Sequence, residues 1–395
     1  MNYCSKCVYP SASAVKLTFD DEGLCSGCRV YNERKKVDWE KRAKMLFDFA
    51  QGYKDKTAGK NYDCIIPVSG GKDSYFQAYY ATEVLGLKPL LVTYHGNNYL
   101  PEGARNLERM RNVFNADHCV FKPAESLLIK LNRLCFRMMG DMNWHAHCGI
   151  YTYPVQVAVK YKIPLIIWGE HGFAELGGMY SMNDFPEMTA KFRLEHVQRG
   201  FDWFNMIEKS ENINEQDLLW AKYPTDEEID EVGVRGIYLG NFVNWDGNFN
   251  YQTVKEKYGW EARDIPFERT YRMFSNLDDM HENGMHDYLK FIKFGYGRAS
   301  DHASKDIRAQ KMTRAEGIEM VKKYDAVKSS DLKRWLEYVN MTEEEFDQTA
   351  DTFRDPKVWW IENGEWWKDN IWGEPSSYGK VYLPKELQGR YKTKK

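Results

Sequence analysis

The stretch VSGGKDS, residues 68–74, lies between an apolar run, CIIP at 64–67, and a segment with helical character that begins at Ser74. Its two glycines, Gly70 and Gly71, allow the backbone to turn sharply and to approach a ligand closely. Backbone amides at the start of the following helix, together with the helix dipole, favour the binding of anionic oxygens. The stretch therefore predicts a phosphate-binding turn between a strand and a helix.

The side chains of this turn narrow its type. Ser69 and Ser74 offer hydroxyl donors and Lys72 offers a positive charge, whereas Asp73 suits Mg²⁺ or the amides of the loop itself. A Walker A loop is excluded, because GxxxxGK[ST] would need a glycine at Ile66 and a serine or threonine at Asp73. The dinucleotide pattern GxGxxG is absent as well. An ordinary glycine turn that caps a helix is the alternative interpretation.

Apolar strands alternate with helical patterns between residues 63 and 169. Strands that are apolar along their whole length are typical of a parallel sheet covered by helices on both faces. We therefore expect an α/β fold with a doubly wound parallel sheet, which binds its ligands at the carboxyl ends of the strands. These ends carry the SGGKDS loop, His95, Glu170 and His171. The strands are expected at 63–68, 89–94, 118–123 and 164–169, and the helices at 74–85, 101–115, 124–139 and 151–161.

Four of the eight cysteines form two CxxC pairs, Cys4 with Cys7 and Cys25 with Cys28. Two such turns can place four thiolates tetrahedrally around one Zn²⁺. A segment this short cannot bury a useful core, so metal binding would supply its folding energy, about 10–16 kcal/mol in zinc-finger peptides. The spacing predicts a structural zinc site, and a redox dithiol is the alternative.

Length and charge restrict the class of protein. The chain has 395 residues and a net charge of −3, so it can form two or three domains and is not globally basic. A nucleic-acid partner is therefore not expected. No apolar run approaches the ~20 residues of a membrane span, and the N-terminus has no apolar signal region. We expect a cytoplasmic protein that does not bind membranes, whose cysteines are not paired in disulfides.

The second half of the chain is richer in aromatic residues. A strand is expected within GIYLGNFV at 236–243 and a turn at Asp246 and Gly247. From about residue 304 the sequence predicts helices with polar faces, followed by a tryptophan-rich tail. The expected division is a four-cysteine zinc knuckle at 1–35, the α/β domain with substrate-binding insertions at 50–303, and a helical, tryptophan-rich region at 304–395.

The SGGKDS string after the first strand resembles that of the pyrophosphate-loop (PP-loop) ATP pyrophosphatases, a superfamily with a HUP-like α/β fold. The resemblance implies that residues 69–74 hold the β- and γ-phosphates of ATP, with Mg²⁺, and that His95 contributes to nucleotide binding. Members of the superfamily cleave ATP between the α- and β-phosphates and transfer AMP to a carbonyl or amide oxygen. Adenylation turns that oxygen into a leaving group, which a nitrogen or sulfur nucleophile can then displace.

The chain as a whole resembles the N-acetyl-sugar amidotransferases of bacterial surface-polysaccharide (lipopolysaccharide O-antigen) and flagellar-sugar biosynthesis. The resemblance covers the four-cysteine knuckle, PVSGGKDS at 67–74, WGE at 168–170, YLKFIKFGYGRASDHASKDIR at 288–308 and TRAEG at 313–317. It implies conversion of an acetamido group to an acetamidino group, with ATP as the activating substrate. Ammonia would come from a glutaminase subunit that acts with a cyclase-like barrel subunit. The sugar, a nucleotide-linked uronic acid or a nonulosonic acid, is left open.

The segment 290–308 is expected to bind substrate and pyrophosphate, because its charged residues alternate with glycines as they would not in a buried helix. The alternative is a solvated loop with a helix cap. Lys293 and Arg298 are the candidates to neutralise phosphate, together with the catalytic candidates Lys72 and Asp73. Asp301, His302 and Arg308 are candidates to orient the sugar or ammonia. The remaining candidates for substrate binding are Glu170, which could also bind Mg²⁺, His171 and Tyr296.

Two other functions compete with amidotransfer. A tRNA-thiolating enzyme also joins zinc knuckles to a PP-loop, and Cys148 would then carry the sulfur. A tRNA-binding enzyme is expected to be basic, because its lysines and arginines contact the RNA backbone, but this chain has a net charge of −3. A zinc-dependent binding module without catalysis leaves SGGKDS unexplained. His145, His147 and Cys148 could also form a second metal site, although a fourth ligand is missing.

Overall fold

The computed structural model describes residues 1–210, 212–274 and 280–391. A five-stranded parallel sheet with the order β3-β2-β1-β4-β5 lies at its centre, and a three-stranded antiparallel sheet, β6-β7-β8, lies near the C-terminus. The strands are β1 (Cys64–Pro67), β2 (Pro89–Tyr94), β3 (Asp117–Phe121), β4 (Leu165–Trp168), β5 (Arg235–Tyr238), β6 (Trp359–Glu362), β7 (Glu365–Lys368) and β8 (Ser376–Lys380).

Helices connect these strands and build the C-terminal part. The α-helices of the described chain are α1 (Ser26–Arg34), α2 (Trp39–Thr57), α3 (Lys72–Tyr79), α4 (Pro101–Val113), α5 (Glu125–Met139), α6 (Trp144–Tyr161), α7 (Ala190–Phe192), α8 (Trp203–Glu208), α9 (Asp226–Val232), α10 (Gly247–Tyr258), α11 (Glu282–Phe294), α12 (Arg298–Arg308), α13 (Arg314–Tyr324), α14 (Leu332–Val339), α15 (Glu343–Asp351) and α16 (Lys385–Gln388). Tyr80–Val84, Phe173–Gly177 and Arg193–Val197 are π-helical turns, and Glu215–Ala221 and Leu239–Asn241 are 3₁₀ turns.

Helices cover the parallel sheet on both faces. Ile65 and Ile166 belong to one apolar cluster, whereas their neighbours Ile66 and Ile167 belong to another on the opposite side. Successive side chains of a strand point to opposite faces, so strands buried on both faces must be apolar throughout. This explains why the strands were recognisable as apolar runs, and it confirms the doubly wound parallel sheet.

The strand order reverses between β1 and β4. β1 pairs with β2 on one side and with β4 on the other, so the loops that follow β1 and β4 leave the sheet side by side. Ligands of doubly wound sheets bind where the strand order reverses. The SGGKDS loop and Glu170 therefore lie at the position that the fold favours for a ligand.

The four-cysteine segment packs against α12. Its short antiparallel bridges join Tyr3 to Pro10 and Phe19 to Cys25. The cysteines share an apolar cluster with Ala303 of α12, and the cluster also contains Val8, Tyr9, Tyr296 and Ile307. The segment that was expected to form a zinc knuckle therefore packs against α12 and shares a buried apolar cluster with it.

Residues 282–308 form two buried helices, α11 and α12, which corrects the expectation that such a charged segment would not be a buried helix. The charges are paired with one another. Arg298 donates to Asp287 at 2.7 Å, and Lys290 forms an ion pair with Asp301. The alternative of a solvated loop is also wrong for these residues, because both helices are largely buried. Buried charges are tolerated there because they have hydrogen-bonded partners.

Other expectations are met in part. Helices α13 to α15 follow the expected helical pattern, but the tryptophan-rich tail forms β6, β7 and β8. Arg354 lies between the rings of Trp359 and Trp366, with 4.2 and 4.8 Å from its guanidinium carbon to the ring centroids. Because α12 spans residue 304, the expected boundary between 303 and 304 falls inside a helix.

Asp246, expected in a turn, caps α10, since its carboxylate accepts from the amides of Asn248 and Phe249. Within the described ranges no helix is both long and apolar enough to cross a bilayer.

We expect Asp287→Asn to destabilise the protein by about 3–5 kcal/mol, because it leaves a buried guanidinium without its counter-charge. Burial alone would raise the pKa of Asp287, but Arg298 and Arg269 outweigh it and lower the pKa to about 2. The stabilisation is therefore present above about pH 4 and lost as the pH falls towards 2. Urea unfolding between pH 3 and pH 7 measures both effects. The exposed Asp48 of the Lys44 pair is the control, and an equal effect of Asp48→Asn would contradict the account.

Candidate active site

The loop after β1 depends on Gly70. Its φ is +85°, and a Cβ added there would lie 2.8 Å from the amide nitrogen of Leu107 in α4. Only glycine combines this backbone conformation with so close an approach. The indole of Trp260 donates to the carbonyl of Gly70 at 2.9 Å and fixes the loop from another side.

The two serines of the loop hold its shape. Ser74 Oγ accepts from the amide of Gly70 at 3.2 Å and donates to the carbonyl of Gly71 at 2.9 Å. Ser69 Oγ accepts from the amide of Gly71 at 3.3 Å. Gly71 directly precedes α3, so the positive end of the helix dipole lies at the loop. The expected strand–turn–helix arrangement is confirmed.

Lys72 and Asp73, the first two residues of α3, form an ion pair with each other. Lys72 Nζ lies 2.6 Å from Asp73 Oδ2, and Asn250 of α10 donates to Asp73 Oδ1 at 3.2 Å. Lys72 is buried, whereas Asp73 keeps 17% of its side-chain area exposed. The loop thus combines an ammonium group that can meet phosphate with a carboxylate that can meet a cation.

Helix α12 faces the loop from the other side. Lys305 forms an ion pair with Glu170, at the end of β4. Burial alone would lower the pKa of Lys305, but Glu170, Glu175 and Asp73 together raise it, so this lysine stays charged. The ion pair of Lys305 and Glu170 therefore joins α12 to the end of β4, beside the loop.

His302 of α12 is neutral. Its Nδ1 lies 2.7 Å from the hydroxyl of Thr270. Burial, followed by the charges of Arg272, Arg298, Lys305 and Lys72, holds the pKa of His302 well below its usual value. A neutral imidazole can take part in hydrogen bonds, but burial and the surrounding cations disfavour its protonation.

Two cavities meet at Glu170. The loop cavity, of about 220 Å³, lies at the carboxyl ends of the strands, and the charged cavity, of about 130 Å³, lies beside α12. Polar side chains that line the loop cavity are Ser69, Asp73, Ser74, Gln77, Asn97, Tyr99, Asn143, His147 and Asn283. Charged side chains and His302 line the other, namely Arg34, Glu170, Glu175, Asp246, Arg272, Arg298, Asp301, His302, Lys305, Asp306, Arg308 and Lys311.

The structure brings the expected site residues of α12 to the charged cavity, but it brings neither Lys293 of α11 nor Tyr296 to a cavity of the site. Arg298, Asp301, His302 and Arg308 line the charged cavity. Arg298 and Asp301 also hold α11 and α12 together, since Arg298 donates to Asp287 of α11 at 2.7 Å and Asp301 pairs with Lys290 of α11. Asp301 accepts from the hydroxyl of Tyr9 at 2.7 Å as well.

Arg308 spans the charged cavity and the cysteine cluster. It donates to the carbonyl of Glu175 at 2.9 Å and lies 3.6 Å from the sulfur of Cys25. Tyr296 lines neither cavity; its hydroxyl accepts from the amide of Ala14 at 3.0 Å. Both side chains thus contact the four-cysteine segment.

Lys293 lies outside both cavities. Its Nζ is 3.5 Å from the carbonyl of Met139 and 3.9 Å from Asp141, which also pairs with His286 and Arg199. Burial lowers the pKa of Lys293 to about 7. The structure therefore places it in a buried cluster of its own, and not against the loop.

The two histidines expected at strand ends have different surroundings. His171 packs against the ring of Tyr238 at 4.4 Å, and burial lowers its pKa to about 4. His95 stacks against Tyr99 at 4.6 Å, and Tyr99 lines the loop cavity. His95 is therefore near the cavity, whereas His171 belongs to an aromatic cluster.

Sequence reasoning missed the amides of the loop cavity. Asn97, Asn143 and Asn283 come from three separate segments, and no motif marks them. Asn250 and Trp260, which hold the loop, were missed for the same reason. The structure alone reveals these contacts.

The four cysteines fit a tetrahedral metal. Their sulfurs all lie within 4.8 Å of one another, and Cys4–Cys28 and Cys7–Cys25 are 3.9 and 3.7 Å apart. Four Zn–S bonds of 2.3 Å in a tetrahedron require about 3.8 Å between sulfurs. All four side chains are buried, and amides of the segment donate to Cys4. The donor set therefore fits a structural site with no open position.

The possible second metal site is not formed. His145 contacts the hydroxyl of Tyr94 at 3.3 Å and the amide of Asn132 at 3.2 Å, so both its nitrogens are engaged. Cys148 lies 3.7 Å from the carbonyl of Ala221. His147, by contrast, lines the loop cavity. The cysteine quartet is the metal-ligating cluster found among the residues that the structure describes.

Comparison with known proteins gives one family match. Residues 268–371 match the family described as "LPS biosynthesis protein WbpG-like, C-terminal domain". This range contains α11 and α12, and it confirms the resemblance to surface-polysaccharide enzymes over the segment that was most specific for it. No curated protein matches the chain.

Three solved structures show weak similarity. The NH3-dependent NAD synthetase from Campylobacter jejuni is 14% identical, with 50% of this chain and 92% of that chain covered and a TM-score of 0.28. The NMN synthetase from Francisella tularensis is 13% identical, with 58% and 99% covered and a TM-score of 0.28. The NAD+ synthetase from Burkholderia pseudomallei is 16% identical, with 59% and 94% covered and a TM-score of 0.27.

We expect one Zn²⁺ per chain and its loss in Cys7→Ser, because three thiolates hold the ion less well than four. Removal of the metal breaks the link between the two CxxC turns, so the melting temperature should fall together with the metal content. Elemental analysis and thermal unfolding measure the two changes. Cys64→Ser, at a buried cysteine outside the cluster, is the control for metal content. Full metal content in Cys7→Ser would contradict the assignment.

Proposed function

We propose that this protein is an ATP-dependent amidotransferase that converts an acetamido group of a bacterial surface sugar to an acetamidino group. The observation that carries the proposal is the pairing of the SGGKDS loop with α12 around Glu170. The loop supplies a phosphate-binding turn at the edge of a parallel sheet. Helix α12 belongs to the segment that matches a lipopolysaccharide biosynthesis domain.

In this proposal the loop binds the β- and γ-phosphates of ATP. Lys72 meets the phosphates, and the amides at the start of α3 bind their oxygens. Asp73 and Glu170, both at the loop cavity, are the carboxylates that would hold Mg²⁺. The ion would neutralise charge on the departing pyrophosphate. Lys305, paired with Glu170, and Arg298 add positive charge on the side of α12.

The reaction proceeds in two displacements. The amide oxygen attacks the α-phosphate, the bond to the β-phosphate breaks, and pyrophosphate leaves. Ammonia then attacks the carbon of the O-adenylyl imidate, one proton passes to a base, and AMP departs with the former amide oxygen. His302 lines the charged cavity, and its neutral imidazole could orient the incoming ammonia through a hydrogen bond.

Ammonia would come from outside the chain. The string GLCSG at 23–27 fits the GxCxG pattern of a glutaminase elbow, but its Cys25 belongs to the buried cysteine quartet and is not placed as a free nucleophile. We propose a glutaminase subunit with a cyclase-like barrel subunit as the source, and the cytoplasm as the site of reaction. The acceptor would be an O-antigen or flagellar precursor, either a nucleotide-linked uronic acid or a nonulosonic acid. The proposed cofactors are a structural Zn²⁺ and Mg²⁺ with ATP.

The products of ATP test this proposal. Wild-type protein with ATP, Mg²⁺, ammonium and an acetamido sugar should form AMP and pyrophosphate. Both products are measured over time by ³¹P NMR. Lys72→Ala should lower this rate by roughly 100-fold or more, because it removes a charge from the phosphates. Lys44→Ala, on the exposed face of α2, should leave the rate unchanged. ADP and phosphate as products of the wild type would exclude cleavage between the α- and β-phosphates.

Thiolation of tRNA, the competing reading, needs a reactive thiol at the site. Cys148 is fully buried, and burial raises its pKa to about 12. Its neighbours are Thr152, Arg193 and the carbonyl of Ala221, and it does not line the loop cavity. The thiolate is the nucleophile in sulfur transfer, so this environment favours amidotransfer.

Replacement of this thiol separates the two reactions. Cys148→Ala should keep most of the AMP-forming activity with saturating ammonium, because ammonia attacks the adenylated amide without a sulfur carrier. A thiolating enzyme would lose turnover altogether. Cys135→Ala, at another buried cysteine, is the control for loss of packing. A dead Cys148→Ala with an active Cys135→Ala would favour thiolation.

A further inference from the structure

Three asparagines line the loop cavity together, and they will be called the asparagine cluster: Asn97, Asn143 and Asn283. Asn97 follows β2, Asn143 precedes α6, and Asn283 lies in the first turn of α11. Three separate segments of the chain thus bring the same chemical group to one cavity.

Each member of the cluster has a buried polar atom that lacks a hydrogen-bond partner in the part of the chain described here. These atoms are Oδ1 of Asn97, Oδ1 of Asn143 and Nδ2 of Asn283. Asn143 and Asn283 are both only 2% exposed. Buried amides are normally satisfied, because an unpaired polar atom destabilises the folded state. Their convergence on a cavity indicates a ligand that completes these hydrogen bonds.

The chemistry of the cluster selects a neutral ligand. Two carbonyl oxygens can accept and one amide nitrogen can donate, and none of the three side chains is charged. An acetamido group offers the matching N–H donor and carbonyl acceptor, and a neighbouring sugar hydroxyl can serve the second oxygen. Ile150 and Met280, which line the same cavity, offer apolar surface for the methyl group.

The cluster is held in place by its surroundings. Asn97 Nδ2 lies 2.9 Å from the sulfur of Met280. The backbone N–H of Asn143 donates to the carboxylate of Asp141 at 3.0 Å. Asn143 makes no side-chain cap bond to α6, so its carbonyl is not needed to start that helix. A preorganised set of donors and acceptors loses little entropy when a ligand binds.

We propose that the asparagine cluster binds the acetamido group of the acceptor sugar. The proposal rests on the proposed function, and it assigns the acceptor to the cavity that also contains the SGGKDS loop. The cluster then orients the amide whose oxygen is adenylated, and it distinguishes an acetamido sugar from the free amine or a plain hydroxyl.

The test uses N-acetylglucosamine as the probe and glucose as the matched sugar without an acetamido group. Saturation-transfer difference NMR of the full-length protein should show transfer to the acetyl methyl protons of N-acetylglucosamine and much weaker transfer to glucose. The methyl signal should persist when the non-cleavable nucleotide α,β-methylene-ATP is added with Mg²⁺. Absence of the methyl signal, or its loss by competition with the nucleotide, would overturn the proposal. The second outcome would assign the cluster to adenosine.

Two variants locate the signal. Asn143→Leu and Asn283→Leu keep the approximate volume but remove the polar atoms, so each should weaken probe binding by roughly 2- to 10-fold. Asn112→Leu, on the exposed face of α4, should leave binding unchanged. Nucleotide binding and the melting temperature should be retained in all three. Unchanged probe binding in both cavity variants would overturn the proposal.

The outcome separates this proposal from the proposed function. A saturation-transfer signal at the acetyl methyl protons that depends on the asparagine cluster, without AMP formation from any acetamido sugar, would support the binding site and reject the reaction. AMP formation from an acetamido sugar with full activity in both cavity variants would retain the reaction and reject the cluster.

Discussion

The burial of α12 with its charges paired is the constraint that joins the parts of this protein. Three charged groups of the helix reach separate parts of the chain: Arg308 lies at Cys25, Asp301 accepts from Tyr9, and Lys305 pairs with Glu170 at the end of β4. A buried charge that lost its partner would cost several kcal/mol, so these contacts hold as a group. The four-cysteine segment, the sheet and the two cavities consequently share one helix. We infer that the cysteine quartet stabilises the active site through α12, although it takes no part in the chemistry.

Glu170 lies where two cavities meet, and the cavities differ in the charge of the residues that line them. The loop cavity is lined largely by apolar and neutral polar groups, whereas the charged cavity carries nearly balanced acids and bases from α12 and its neighbours. A reaction that adenylates a neutral amide and expels pyrophosphate needs both environments. The acceptor requires hydrogen bonds without charge, and the leaving group requires positive charge. The asparagine cluster would supply the hydrogen bonds to the acceptor. Lys72, Lys305 and Mg²⁺ held by Asp73 and Glu170 would supply the positive charge where the two cavities meet.

Much of the fold could be predicted from the sequence, because its strands are buried on both faces and read as apolar runs. The strand at 89–94 was expected with the bounds of β2. The metal cluster was also predictable, since doubled CxxC spacing depends only on local turns. The charged segment 290–308 was misjudged because its partners are distant in sequence: Tyr9 and Glu170 meet α12 only in the folded chain. Asn143 and Asn283 carried no signal, because an unpaired buried amide is a property of packing. The region 304–395 was expected to be helical and tryptophan-rich, but its tryptophan-rich part forms an antiparallel sheet in which Trp360 pairs with Trp367.

Transfer of oxygen from the acceptor to AMP tests the central claim most directly. An acetamido sugar labelled with ¹⁸O in its carbonyl would be incubated with the protein, ATP, Mg²⁺ and ammonium, and the AMP would be analysed by mass spectrometry. The account predicts that the label appears in the phosphate of AMP and that the sugar product has lost it, because the amide oxygen attacks the α-phosphate. AMP without label, or label retained in the sugar, would contradict adenylation of the acetamido oxygen at this site.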